Sequence, residues 1–326
     1  MTPAFQIIAN GADATVSLSD RLLSITVTDE DGEKADRVEI EVDDRDGRVA
    51  FPELDTTLLV YLGFRETGLQ MVGQFAVDGV SGGHGSAGQT MAITATAADL
   101  KSDIRAPRTR EWENKSLSDI VRKIAGEAGL RSVVGESVGS KVWEYLAQTA
   151  ESNLHFLTRI AATLDATAKP AGGALIVQRR AEGKSAAGDR ITAPVLGPRD
   201  LIDWRWRLEG REVVKSVEAE WTDPAVGTRD KVTAGSGTPM RAIRHMHATE
   251  DEATRAAEAA LQRAAMSAMS LSAQLANFAP GLLAGATVQV AGLRAELSGE
   301  WQIWRVTHRF DSGGLTTSFE GRKGEP

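Results

Sequence analysis

Several stretches of the chain carry residue types that could do chemistry. GESVG sets Gly135, Ser137 and Gly139 at the G-x-S-x-G spacing of an esterase nucleophile, with Asp200 and either His245 or His308 downstream to complete a relay. That chemistry demands a strand before the serine, a helix after it and a mainly parallel sheet around both. No alternating series of parallel strands and helices is visible, so a glycine-rich loop is the better account. GGHGSAGQ places Gly83, Gly85 and Gly88 at G-x-G-x-x-G. A dinucleotide site needs a helix to open next, so that its N-terminus meets the pyrophosphate. TMAITATA follows instead and alternates like a strand, which predicts a hairpin loop.

Asp44, Asp46, Gly47 and Glu53 nearly fit a calcium loop, yet its first ligand position is Val42 and strands replace the flanking helices. His245 and His247 could present two rings to a metal from one strand, but spacing supplies no third ligand. Trp204, Trp206 and Trp221 could stack on sugars, although tryptophans in strands more often fill cores or interfaces. No acidic pair sits in the apolar setting that would raise one carboxyl for glycoside hydrolysis. On these readings the chain has no catalytic residue, no cofactor and no metal site; a serine hydrolase using Ser137 is the rival from another class.

The elements that must position these residues are mostly strands. In SITVTDEDGEKADRVEIEVDD, Ile25 and Val27 share one face, and Val38, Ile40 and Val42 share another after a polar turn. Period two around an Asp/Gly turn predicts an antiparallel hairpin with one wet face. Leu58 to Phe64, Met71 to Asp78 and Gln89 to Ala97 read the same way. Short strands with no helix between them suggest a barrel or sandwich.

The period changes near Arg105. Ser116 and Asp119 form a near capping box, and Leu117, Ile120, Val121, Ile124 and Ala128 make one apolar stripe ending at Gly129. Ser152 caps a second helix lined by Leu154, Leu157, Ile160, Ala161 and Leu164. Pro170, Gly172 and Gly173 predict a turn, and Ala174 to Gln178 a short strand. GKSAAGD reads as a connector. Beyond it, two strands are expected around Glu209 and Gly210. An alanine-rich helix follows, capped by Thr249 and Glu252 and suited to close packing. The end is β again: Ala286 to Val290, then a hairpin turning at Asp311 to Gly314.

Composition narrows the function. The chain has 326 residues, 42% of them hydrophobic, and a formal net charge of −8. That acidity argues against phosphate binding as the main task. The absence of cysteine removes disulfides, Cys-based zinc sites and thiol catalysis. No secretory leader is legible, and no apolar run approaches the ~20 residues of a membrane span; synthesis in the cytoplasm as a soluble protein is expected.

The order of these signals resembles the phage late control D family, the baseplate hub proteins of contractile-tailed bacteriophages, related to the hub domains of type VI secretion spike proteins. Three stretches carry the resemblance: VTDEDGEKADRVEIEVDD through GQFAVDGV to ITATAADL; REWENKSLSDIVRKIAGEAGL with QTAESNLHFLTRIAATLDATAKPAGGALIV; and GEWQIWRVTHRFDSGGLTTSFEG. The signature residues are Gln148, Glu151, Ser152, Phe156, Leu157 and Ile160, with Trp301, His308 and Phe319 at the end. Asn153 stands where the family often has Asp.

The resemblance implies a mixed, β-rich α+β fold: two tube-type antiparallel β-barrel domains with an inserted small α/β module. Residues 1–105 would form the first barrel, 106–185 the insert and 186–326 the second barrel with its alanine-rich helix, with strand exchange between units allowed. It further implies a homotrimer that joins a hexameric tail tube protein to a trimeric central spike protein. Barrel edges would pair across subunits around a neutral or acidic lumen that passes DNA or tape-measure protein. Other baseplate proteins would be partners; specific nucleic-acid binding and a membrane segment would not be expected. The virion tail baseplate is the implied location, and a tailocin, gene transfer agent or other phage-derived injector is the alternative machine.

Overall fold

A computed structural model describes residues 1–31, 35–85, 88–97, 104–171, 173–179, 193–208, 214–222, 227–265 and 269–323. The first segment runs β1 (Pro3–Ala9), β2 (Ala12–Asp13), a short α1 (Thr15–Ser19), β3 (Leu22–Glu30), β4 (Arg37–Asp43), β5 (Thr57–Phe64), β6 (Gly68–Gly85) and β7 (Gly88–Ala97). The middle runs β8 (Pro107–Ser116), α2 (Leu117–Glu127), β9 (Arg131–Val134), α3 (Glu136–Gly139), β10 (Val142–Ser152), α4 (Asn153–Ala162), β11 (Ala166–Ala171) and β12 (Ala174–Arg179). The last runs β13 (Val195–Leu196), β14 (Leu201–Leu208), β15 (Ser216–Thr222), β16 (Arg229–Gly235), β17 (Met240–Ala242), α5 (Glu250–Ala265), β18 (Met269–Leu275), β19 (Thr287–Val290), β20 (Gly299–Asp311) and β21 (Gly314–Lys323).

The two ends of the chain build one thirteen-stranded sheet in the order β14-β18-β21-β20-β3-β4-β7-β6-β5-β1-β2, with β19 on β20 and β13 on β19. Every pairing along that path is antiparallel. Period-two burial explains it: Val38, Ile40 and Val42 turn inward from β4 while Glu39 faces water. The sheet folds around two separate cores. The first gathers Ile7, Ile25, Ile40, Leu62 and Phe75. The second gathers Leu271, Val288, Trp301, Val306 and Phe319. Each such side chain, fully buried, contributes about 1.5–3 kcal/mol. The expected β-rich α+β class, with large antiparallel sheets at both ends and an α/β module between, is borne out. β3 and β20 join the two lobes through a seven-pair register from Arg305↔Glu30 to Asp311↔Ser24.

The insert has its own core, in which Leu117, Ile120, Val121 and Ile124 of α2 meet Phe156, Leu157 and Ile160 of α4. Ser116 Oγ accepts from Asp119 N at 3.1 Å, Ser152 Oγ accepts from His155 N at 3.1 Å, and Gly129 takes φ +70°, all as the caps predict. A last small sheet, β16-β15-β17, packs Val217 and Ala219 against Ala253, Ala257 and Ala260 of α5. The alanines allow the close approach expected of that helix, and Thr249 Oγ1 accepts from Glu252 N at 3.2 Å.

Some expectations are corrected. The second helix stops at Ala162, so Leu164 lies beyond it, and a strand, β11, precedes the turn. Pro170 belongs to that strand; among the described residues β11 pairs only with β12, and an edge strand tolerates a proline without an N–H. The insert also contains one parallel pair, β9 with β12, which falls short of the alternating parallel series that an esterase needs. The strands before and after Glu209 and Gly210 enter different sheets. His245 and His247 lie in bends and a single bridge rather than a strand. The GKSAAGD connector, Gly172, Glu209 and Gly210 fall outside the described residues.

Candidate functional site

The signature residues of the insert meet at an irregular bend of β10. The β8–β10 register shifts between Gln148 and Glu151, and Ala150 is held at φ +49°. A left-handed non-glycine residue costs of the order of 1 kcal/mol; its N–H donates to Thr109 Oγ1 at 3.1 Å. The bend turns Gln148 inward, where it is fully buried. Gln148 Oε1 accepts from Arg110 Nε at 2.9 Å, and its Nε2 donates to Glu151 O at 2.9 Å and Asn153 Oδ1 at 3.1 Å. Arg110 also donates to Asn153 Oδ1 at 2.7 Å and to both Glu127 oxygens at 2.9 Å. Its guanidinium lies 4.4 Å over Trp112, which stacks on Phe156 with centroids 6.0 Å apart. Asn153 Oδ1 thus accepts two bonds without adding a charge.

Glu151 grips Arg159 through paired bonds of 2.9 and 2.7 Å and takes His155 Nδ1 at 3.2 Å. Burial opposes its ionisation, but Arg159, then His155 and His245, hold its carboxyl below the ordinary value. Ser152 caps α4, and Phe156, Leu157 and Ile160 are buried beneath it. Every polar signature residue here fastens strand to helix.

Near the other end of the chain, Trp301 is fully buried and its Nε1 donates to Leu297 O at 2.8 Å. Phe319 lies in the same core. His308 is buried against Phe278, centroids 5.2 Å apart, with Nδ1 2.9 Å from Thr317 Oγ1. Burial lowers its pKa to about 4, against a small opposing pull from Asp29. Neutral His308 thus shares a hydrogen bond with the Thr317 hydroxyl, which itself accepts from Ala279 N at 3.0 Å.

A junction that sequence reasoning missed binds the three parts together. Lys169 of the insert contacts the Asp29 carboxylate, lies 2.7 Å from Asp36 Oδ1 and donates to Glu30 O at 2.9 Å. Asp29 Oδ2 also accepts from Ala284 N, in the β18–β19 loop, at 2.9 Å. Arg305 of β20 completes the junction at 3.0 Å from Glu30 and 2.9 Å from Glu320. Burial alone would lower Lys169; the two carboxylates outweigh it and hold its pKa above the ordinary value. One ammonium neutralises only one carboxylate, and burial followed by the Asp29 charge raises Asp36 to about 7. Lysine in an Ala/Pro-rich strand carries no local signal of such pairing; its partners stand some 140 residues away.

The remaining candidates are placed apart. Gly83 pairs with Thr90 and Gly85 with Gly88 across a β hairpin, so no helix N-terminus follows the glycines. Asp46 is clamped by Arg21 at 2.7 and 2.8 Å and Asp44 accepts from Val49 N at 3.0 Å, leaving Glu53 outside the set. Ser137 lies in the four-residue α3 on a cleft of ≈310 Å³ between the insert and α5, whose lining includes Lys141, Asp165, Arg179, Arg255 and Glu258 but no histidine. Asp200 accepts from Gly197 N at 2.8 Å. Among the described residues no cluster of metal-ligating side chains exists; His245 and His247 cross edge-on, centroids 5.4 Å apart. Burial, then His245 and Arg159, lower His247 to about 4. Trp204 and Trp206 stand exposed on β14, whereas Trp221 packs in the α5 cluster, so the three share no platform. Among the described residues no helix is long and apolar enough to cross a membrane.

Polar side chains committed to locking elements of a divided, strand-rich body define a structural assembly protein. The model of the phage tail baseplate hub (GPD) family matches residues 71–314, and the chain belongs to that family. It is 27% identical to the probable baseplate hub protein of Escherichia phage P2, over 98% of this chain and 93% of that protein. It is 26% identical to that of Escherichia phage 186, over 98% and 92%. Two solved structures share the fold along nearly their whole length. The 43 kDa tail protein of prophage MuSo2 from Shewanella oneidensis gives a TM-score of 0.73 at 15% identity over 98% of both chains. The tail protein from Neisseria meningitidis MC58 gives 0.74 at 11% over 99% and 97%. An Escherichia coli type VI secretion component, c3393, gives 0.55 at 14% over 94% of this chain and 76% of that one. The chain is a structural baseplate hub of a phage tail and not an enzyme.

Proposed function

We propose that three copies of this chain form a ring at the tail tip that adapts a hexameric tail tube to a trimeric central spike. The observation that carries the reading is the sheet with two cores, which gives each chain two β lobes side by side. Three such chains offer six lobes to the tube and a threefold face to the spike, the closure that point symmetry requires. The units are read as residues 1–105, 106–185 and 186–326, the first and third exchanging strands where β3 meets β20. The insert braces the lobes from outside through Lys169 and faces other baseplate proteins. The partners are the tube protein, the spike protein and tape-measure protein in the lumen. Assembly takes place in the host cytoplasm and the product resides in the virion tail.

Mass in solution, alone and with the spike protein of the same tail, tests this. Three copies per particle are expected; a strict monomer in both conditions overturns it. A phage-derived injector is the second reading, favoured by the fold shared with the type VI component. Particles carrying this chain with no DNA, or with host DNA in place of a phage genome, would support that reading.

A further inference from the structure

The second lobe ends in a strand whose core face is partly exposed. Among the described residues β14 pairs only with β18, with Trp204 opposite Ala273, Trp206 opposite Leu271 and Leu208 opposite Met269. Directly opposed residues share a face of the sheet. Ala273, Leu271 and Met269 are buried, so the apolar face of this lobe continues outward onto Trp204, Trp206 and Leu208, of which the last two are 45% and 54% exposed. Ile202, at the bulge of the strand, is exposed beside them. Arg205 and Arg207 alternate with this row, and the Arg294 guanidinium sits 5.4 Å over Trp206.

The first lobe carries a surface of complementary character. Between β4 and β5, the segment around Pro52 has no regular structure and exposes Phe51 at 76% and Leu54 at 65%, flanked by the exposed acids Glu53 and Asp55. Its ends are anchored by Val49 N on Asp44 Oδ1 at 3.0 Å and Asp55 N on Val77 O at 2.8 Å. A strand edge with bulky apolar residues and cations suits a loop that carries bulky apolar residues and anions around a turn, here closed by Thr56 N on Glu53 O at 3.2 Å.

We propose that the Phe51–Leu54 segment of one copy docks on the Ile202–Leu208 row of a second copy. This rests on the ring reading above and supplies its contact. Each chain presents one such row and one such segment, so the contact is head-to-tail, the kind that generates a ring where its rotation closes.

The chain lacks cysteine, which makes the test clean. The double variant Phe51→Cys with Trp206→Cys should give covalent dimers and trimers on oxidation, while each single variant should not. Phe51→Asp alone and Trp206→Asp alone should each weaken trimer formation, on the order of 30-fold for loss of a central aromatic contact. Mixing these two variants should restore dimers, because the pair still holds one intact row and one intact segment. Unchanged melting of both variants checks that the fold is kept. A wild-type trimer that survives both substitutions overturns the contact and leaves the hub ring standing, and so does loss of tube-protein binding alone. Efficient cross-linking by Trp206→Cys alone also overturns it, since β14 would then meet β14. A wild type that is monomeric with and without spike protein overturns contact and ring together.

Discussion

The two ends of the thirteen-stranded sheet are finished differently. At the first lobe, β1 begins with Pro3, Ile7 N donates to Thr15 Oγ1 at 3.0 Å and Ile7 O accepts from Ala14 N at 2.9 Å. Phe5 crosses Phe310 of β20 edge-on, centroids 5.2 Å apart, which folds the sheet's end back onto its middle. Proline, a covering turn and a short companion strand are standard guards of an exposed edge. At the second lobe, β14 carries none of these among the described residues and exposes tryptophan instead. An edge left open at that cost in solubility is an edge with an appointed partner; a guarded one is meant to stay alone.

The largest change should come from the junction that holds both lobes to the insert. Lys169→Met leaves Asp29 and Asp36 buried without their cation, a loss of about 3–5 kcal/mol, read by denaturant unfolding. Trp301→Ala should cost a similar amount, about 3–5 kcal/mol, as an emptied core site. Trp206→Ala should change the unfolding of the isolated chain by less than about 0.5 kcal/mol. Equal costs at Trp301 and Trp206 would mean that β14 is covered within one chain, and the contrast between the two ends would collapse.

Acid should act next. His308 folds with a pKa of about 4 against an ordinary 6.5, so its contribution is present above 6.5 and is lost as pH falls toward 4. The full loss is about 3 kcal/mol, and His308→Gln should flatten that part of the pH profile. Asp36 has the opposite sign. Its raised pKa favours the fold below the ordinary 3.8, and that support fades as pH rises through about 7. In His308→Gln, where the opposing histidine is gone, further replacement of Asp36 by Asn should remove a fall in stability between pH 4 and 7; an unchanged curve would contradict that assignment. A milder effect than the core and junction losses belongs to the guarded end: Thr15→Val strands the Ile7 N–H at a cost of about 1–2 kcal/mol and should raise aggregation by baring β1. Light scattering on warming reads this, and no change would show that Thr15 guards nothing.

Much of this was legible before the fold. Period-two runs in the first hundred residues, the Ser116 and Ser152 caps and the terminal hairpin all follow local rules that sequence displays. The β8–β10 ribbon was not legible, because its apolar and polar residues do not alternate cleanly around the bend at Ala150. β11 hid behind Pro170 and the glycines after it. The Lys169 junction and the pairing of β3 with β20 depend on contacts across most of the chain, where spacing carries no information. Of the signature, its helical part read as core; the Gln148–Arg110–Asn153 bonds needed coordinates.

The β3–β20 seam has a mechanical consequence. Its seven opposed pairs run lengthwise between the lobes. A pull along the strands loads those backbone bonds side by side and in concert, whereas a pull across them peels one at a time. A recoil transmitted along that seam would meet a rivet line rather than a zip fastener, and the lobes would travel as a single strut.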